Sequence, residues 1–397
     1  MSPKPKIGLF YYLKFSWYVG ALLIFLASFS PTFIRQYYSQ AFFKYMAAGL
    51  RFFSSLFPFA LGEWAFVFVV IILIINTLQY LIKVKSTYKS KQFWVKTANA
   101  MALTIAKLYV VFQLSWGINY HQADPSKSFN LSIPTAYTAA EVDNLSLELI
   151  QELNRERQNF PKTVVNNFDK KDIFESAIKE YQQNEQMHPF LQYKNPCLKF
   201  STIPSLGDYL GYLAFYQPIT GEAIIRADLP ILTMPFTTCH EIAHQLGYAS
   251  ETEANFIAFV IGTESRDPFF KYSMLLQLFS YTQAEHLNFL AAKGDFKQWE
   301  AVVKRNKGLL SPAVLSDRLQ IRAFFAQRSG LLIPASTTLY DQFLQWNKQS
   351  KGIESYNEVV LWALAYRKKH SNLINKSMRP IKLSPASDEW SQSLAVT

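Results

Sequence analysis

The sequence predicts an α+β protein in which three N-terminal transmembrane helices precede a helix-rich domain with a small β-sheet. Three observations predict it. Apolar residues crowd into the N-terminal part of the 397-residue chain, and half of all residues are hydrophobic, with 16% aromatic, more than a purely soluble enzyme needs. Beyond Asp124 the composition turns to ordinary mixed polarity. Within that second part, helical periodicity is interrupted once, by a short run of β-type segments. The expected division is a membrane domain over residues 1–119 and an extracytoplasmic domain over residues 120–397.

Crossing about 30 Å of hydrocarbon takes about 20 residues of helix. Residues 15–34 contain an uncharged apolar run from Val19 to Phe29, too long for a cleaved signal peptide and followed by two more of its kind. Residues 64–82 are the clearest span. Residues 97–119 form the third, with Lys107 near the middle, a charge that must face the bundle, snorkel or find a partner. Trp116 and Tyr120 close it with the aromatic character of a membrane boundary. Residues 36–62, rich in Phe and Tyr with Lys44 and Arg51 as their bases, read as an interfacial amphipathic segment. Lys83, Lys85, Lys89, Lys91 and Lys96 mark the loop between the second and third spans as cytoplasmic, and Lys4, Lys6 and Lys14 place the N-terminus on the same side. Three crossings then put the rest of the chain outside the cytoplasm.

In the second part, Thr138 and Glu141 form a capping box opening a helix to about residue 157, and another helix is expected over 171–187. Strands are expected over 197–203, 209–216 and 222–226, the last two joined by a turn from Gln217 to Gly221. Helices follow over 270–291, 295–305, 313–327, 339–348 and 356–368. The net charge of +11 does not imply nucleic acid, because the Lys and Arg residues flank apolar segments or mix with acids on helix faces. Two cysteines, Cys197 and Cys239, exclude a disulfide framework and read as small buried side chains.

The chemistry concentrates in His240-Glu241-Ile242-Ala243-His244-Gln245-Leu246-Gly247. Residues four apart on a helix lie one turn above each other, so both imidazoles can reach one ion; Glu241 points about a hundred degrees away, off the ion but within reach of a water beside it. Gly247 suits the end of that helix. A third ligand is needed, and Glu251 and Glu253 are both placed to supply it, one of the two rather than both. Ser250 and Glu253 also carry the signature of a capping box, a rival use for Glu253. His121, His188, His286 and His370 lack comparable spacing.

The segment 207–263, with Phe215-Tyr216-Gln217-Pro218-Ile219-Thr220-Gly221-Glu222, Pro235-Phe236-Thr237 and the HEIAHQLGYASETEANFIAF run, resembles a bacterial membrane family of unknown function grouped with gluzincin-type zinc peptidases. That resemblance implies a zincin-like metallopeptidase domain on the outer face of the bacterial inner membrane. It implies Zn²⁺ held by His240, His244 and Glu253, with a glutamate on the helix after the motif as third ligand. It also implies a peptide or protein substrate added to an edge strand at 213–217 or 222–226. On this reading zinc lowers the pKa of its water to about 7 and Glu241 is the catalytic base; Tyr248, Tyr272 and His286 are candidate donors to the oxyanion. The alternative is a catalytically silent zinc-binding sensor or scaffold in the lipid bilayer. A structural site has no use for Glu241, which favours the enzyme. Three spans with one lone lysine are a poor basis for a transporter.

Overall fold

The computed structural model describes residues 9–160, 169–328, 330, 332–347, 349 and 358–377. Helix α1 (Leu9–Ala27) is followed by a break at Pro31. A wide π-helical stretch (Ile34–Phe43) then runs directly into α2 (Lys44–Ser55). Helices α3 (Leu61–Thr87) and α4 (Lys91–Ser115) follow. Two segments are long and apolar enough to cross a membrane, Leu61–Lys85 and Lys91–Ser115; the pair Tyr12–Ala27 and Pro31–Ser55, bent by 105°, makes a third if counted as one. The expected first span, 15–34, therefore stops at Ala27. Proline supplies no N–H and disfavours helix in the residue before it, and Ser30 is correspondingly non-helical.

Helix α4 begins earlier than expected because Ser90 Oγ accepts from the Phe93 N–H and caps it. The expected problem at Lys107 is met by Trp17: the ammonium lies 5.9 Å from the indole centre. A Cβ on Gly20 would meet Val110, so Trp17 with Lys107 and Gly20 with Val110 advance together, and α1 runs parallel to α4. At the α3–α4 turn Tyr80 stacks on Phe93, and Lys83, Lys85, Lys89, Lys91 and Lys96 all lie near it in the chain. Lys4 and Lys6 fall outside the described residues.

The remaining helices come largely where the periodicity places them. They are α5 (Ala139–Gln158), capped reciprocally by Thr138 and Glu141 as expected, and α6 (Lys170–Asn184). Strand β1 (Leu198–Phe200), helix α7 (Pro204–Leu210) and strands β2 (Ala214–Gln217) and β3 (Glu222–Ile225) follow. Of the strand expected over 209–216, residues 214–216 are strand, while Tyr209 and Leu210 end α7. Pro204 opens α7 at its first turn and Gly211, at φ 81°, closes it in the left-handed conformation. The sheet order is β1–β3–β2, with β3 parallel to β1 and antiparallel to β2.

Then come α8 (Met234–Gln245), α9 (Glu251–Thr263), α10 (Pro268–Ala292), α11 (Phe296–Leu309), α12 (Pro312–Ala326), α13 (Ile333–Trp346) and α14 (Val359–Ser377). Of the last two helices expected, Lys348 and Tyr356 lie outside the described residues. Helix α8 is buried on every side, and α9 is buried from Glu251 to Gly262, so the two form the centre of the helical layer. One continuous core, including Leu149, Tyr181, Phe256, Phe259 and Phe270, surrounds them.

The segment at 36–62 is helical and amphipathic, but its inner face is built into the protein. Ile34, Phe43 and Ala47 pack with Trp116, Ile118 and Ala249, while Tyr45, Phe52 and Phe53 face outward. Arg51 is buried; its Nη1 donates to the Gln245 carbonyl at 2.8 Å and its Nη2 to the Lys194 carbonyl at 2.9 Å. Two buried carboxylates tie down the start of α3. Glu63 accepts from Ser201 Oγ and from the N–H and hydroxyl of Thr202. Glu222 accepts from the N–H groups of Leu61 (3.0 Å) and Gly62 (2.5 Å), donors that no residue within the helix can satisfy.

Glu222→Ala is expected to cost about 1–3 kcal/mol, because two buried N–H groups lose their acceptor. Thermal unfolding of the full chain in detergent checks this, with Glu222→Gln losing less; an unchanged midpoint for Glu222→Ala would show that the cap contributes nothing.

Candidate metal centre

The geometry starts from the end of α8. The Gly247 N–H bonds to the His244 carbonyl at 2.9 Å and the Tyr248 N–H to the Ala243 carbonyl at 3.2 Å, the paired bonds of a Schellman ending, with Gly247 at φ 97°. A side chain has no room there, since a Cβ would lie 3.0 Å from the Phe43 ring. The turn aims the Tyr248 carbonyl back at His244, whose Nδ1 donates to it at 2.7 Å. That bond fixes the tautomer and leaves the Nε2 lone pair pointing away from the turn. The same turn returns the chain so that Glu251, the first residue of α9, faces the two imidazoles.

His240, His244 and Glu251 offer ligand atoms that all lie within 4.8 Å of one another. His240 Nε2 is 3.0 Å from His244 Nε2 and 3.2 Å from Glu251 Oε2, and His244 Nε2 is 3.8 Å from Glu251 Oε1. Bonds of about 2.0–2.2 Å around a tetrahedral ion put neighbouring donors roughly 3.3 Å apart, so these three atoms fit a small divalent cation. Glu241 is buried beside them, and its Oε2 has no hydrogen-bond partner among the described residues. Two imidazoles and one carboxylate suit zinc among the available divalent ions, and neither cysteine joins them.

The electrostatics follow from burial and proximity. Burial opposes the Glu251 carboxylate, yet the two imidazoles outweigh it and hold its carboxyl well below the usual range. Burial likewise opposes the His244 imidazolium, but Glu251 raises it to about 9. Glu241 is pushed up by burial, against the pull of the two histidines.

Glu253, the expected third ligand, is not in this group. It is buried nearby, pushed up to about 8 by burial and by the charge of Asp124, with Arg35 and His244 pulling the other way. Residues two apart on a helix point to different sides, so Glu251 at the imidazoles leaves Glu253 directed elsewhere. Nor is the Ser250 capping box formed: Ser250 is the N-cap of α9, but its side chain caps nothing.

Aromatic residues distant in sequence surround the group. The Trp116 ring stands edge-on to His244 at 5.8 Å and also contacts Tyr216 of β2 at 4.8 Å. Tyr340 of α13 donates to Glu251 Oε1 at 2.6 Å. Tyr120 and Tyr281 both have acidities lowered by burial and by the charge of Glu251. Trp116 and Tyr120 read in sequence as a membrane boundary; nothing local singled out Tyr340 or Tyr281. Of the expected oxyanion donors, Tyr272 donates to Asp317 and His286 faces Asp143, both engaged elsewhere. Tyr248 contributes its carbonyl to His244. His188 pairs with Glu264, and His370 with the Tyr366 carbonyl. Because β3 is the central strand, 222–226 is not a free edge; β2 carries a partner on one side only among the described residues.

A family model described as a protein of unknown function (DUF3810) matches residues 38–364. The chain belongs to this family. In this DUF3810 chain the match takes in α2, α3 and α4 as well as the candidate metal group, so the matched unit combines the apolar helices and the buried cluster. No curated protein and no solved structure matches the chain. The likeness to zinc peptidases therefore rests on the motif and its geometry alone.

Gly247→Ala is expected to cost about 1–2 kcal/mol, the penalty of a left-handed Cβ, and to weaken metal binding, because the displaced turn carries the Tyr248 carbonyl. Unfolding with and without added Zn²⁺, together with metal analysis, reads both effects. Wild-type metal content and midpoint would show that the turn does not position His244.

Proposed function

We propose that this chain is a membrane-anchored metal-dependent peptidase with zinc held by His240, His244 and Glu251. The observation that carries the reading is the convergence of those three groups in a buried cluster with Glu241 alongside, its Oε2 without a hydrogen-bond partner among the described residues. A divalent ion there supplies Lewis acidity, lowering the pKa of water to about 7 and polarising a carbonyl. Glu241 accepts the proton of the attacking water and delivers it to the leaving amine, so that one water and one peptide bond become a carboxyl group and an amine. Its upward shift through burial suits a base working near neutrality. The Tyr248 carbonyl keeps the His244 ring in place, and the Tyr340 hydroxyl orients Glu251. Tyr340, Tyr120 and Tyr281 supply phenol groups around the site from which an oxyanion donor is drawn. The free side of β2, joined to the site through Tyr216 and Trp116, offers an edge for an extended peptide.

The membrane setting supports an extracytoplasmic site in a bacterial inner membrane. Both α3 and α4 reach the metal-bearing part at the ends opposite the lysine-rich turn, through Glu222 and Trp116 respectively. The positive-inside rule puts that turn in the cytoplasm and the metal group across the bilayer.

Glu241→Gln is expected to keep its metal and lose about 10²–10⁴-fold in peptide hydrolysis. Peptide-library cleavage by the detergent-solubilised chain, with and without chelator, measures this; full activity in Glu241→Gln would remove its assignment as base. Glu251→Gln and His240→Ala are expected to lose bound zinc, while Glu253→Gln, which mimics the protonated carboxyl, retains it. The opposite pattern for the two glutamates would restore Glu253 as the ligand. A C-terminal alkaline phosphatase fusion is expected to be active and a C-terminal green fluorescent protein fusion dark; the reverse result refutes the topology.

A further inference from the structure

A cavity of about 90 Å³ lies beside the metal group, between the start of α8 and helices α10 and α12. Its wall includes Phe236, Gln277, Arg318 and Arg322. Phe236 sits one helical turn before His240, with ring centres 6.2 Å apart, and packs on Tyr281 at 6.4 Å. Gln277 bonds to Tyr281, which feels the charge of Glu251. Cavity and metal group thus share a wall one aromatic ring thick.

The partly buried Arg318 and the exposed Arg322 are out of keeping with how this protein treats its buried guanidinium groups. Arg157 pairs with Asp317, Arg226 with Asp208 and Asp228, and Arg51 with backbone carbonyls. Arg318 lies over the Phe279 ring at 4.6 Å and its Nη2 donates to Gln283, but its Nη1 is buried without a hydrogen-bond partner among the described residues. No described carboxylate lies within ion-pair distance of Arg318 or Arg322. Burial and the like charge of Arg322 lower Arg318 to about 10, a penalty that an incoming anion removes. A guanidinium fork matches a carboxylate in two parallel bonds.

We propose that this cavity receives a carboxylate of the substrate, gripped by Arg318 and attracted by Arg322, so that the metal site selects peptides with a negative charge close to the scissile bond. The inference rests on the peptidase reading. The 6.2 Å between the ring centres of Phe236 and His240 corresponds to about two residues of extended chain at ~3.3 Å each. The charge is therefore a C-terminal carboxylate or an Asp or Glu side chain at that distance.

The test uses the full zinc-loaded chain in detergent as Glu241→Gln, so that binding is read without turnover. Calorimetric titration compares an N-acetylated peptide as free acid, as C-terminal amide, and as amide with Glu replacing Gln near its end. At least one acidic form is expected to bind tenfold or more tightly than the neutral amide, and which one does identifies the source of the carboxylate. Arg318→Gln should bring that preference below twofold at unchanged metal content, and Arg322→Gln, at an exposed position, should reduce it in part. Equal binding of acid and amide, or a preference surviving in both arginine variants, overturns the inference while leaving the peptidase reading intact. No binding of any peptide overturns both.

Discussion

The metal group depends on how the last turn of α8 is held. The final carbonyls of a helix lack partners within it and carry the negative end of its dipole. At this end the Gln245 carbonyl accepts from the buried Arg51 guanidinium, which reaches it from the segment between the first two apolar helices. Gln245 itself bonds to Tyr193 and to the carbonyls of Cys197 and Gly221, while Gln122 donates to the Gly247 carbonyl. His244 stands on this turn, and its ring can hold one orientation only while the turn does. A buried guanidinium without acceptors would be severely penalised, so removing either partner leaves the other exposed to that cost.

It follows that the apolar helices and the candidate metal group are not independent modules. Phe43 packs against Gly247, Trp116 against His244, and Glu222 of the sheet holds the first turn of α3. A chain cut after Trp116 would lose Arg51, Phe43 and the α3 terminus together and uncover Gln245, Glu222 and the underside of the Gly247 turn. The extent of the family match, which starts within the π-helical stretch before α2 and ends in α14, agrees with a unit of this size. Since Trp116 directly follows α4 and touches His244, the candidate metal group stands at the end of an apolar helix.

What the sequence disclosed was local. The apolar runs, the Thr138–Glu141 box, the imidazole pair and the terminating Gly247 each state their geometry within one or two helical turns. The choice between Glu251 and Glu253 was not local, because it turns on how far a left-handed glycine swings the chain before α9 begins. The Ser250–Glu253 signature pointed to a cap that the tertiary structure does not use: Glu253 is buried instead of reaching back to the helix start. The strand read over 209–216 began too early for a related reason, since Tyr209 and Leu210 belong to a short helix that Pro204 opens and Gly211 closes, and strand is formed only from Ala214. Tyr340 and Arg318 reach the centre and its neighbouring cavity from helices far along the chain, beyond any periodicity argument.

The two glutamates that competed in sequence end with opposite electrostatic tasks, and the difference is physically required. Glu251 faces two imidazoles and stays ionised despite its burial; Glu253, two residues on, meets Asp124 as well as Arg35 and is driven toward the neutral form. A second ionised glutamate on α9 would add negative charge beside Asp124 in a buried region, a desolvation cost that Arg35 and His244 do not offset. Keeping one carboxylate ionised against the imidazoles and letting the other hold its proton lets a wholly buried helix carry both.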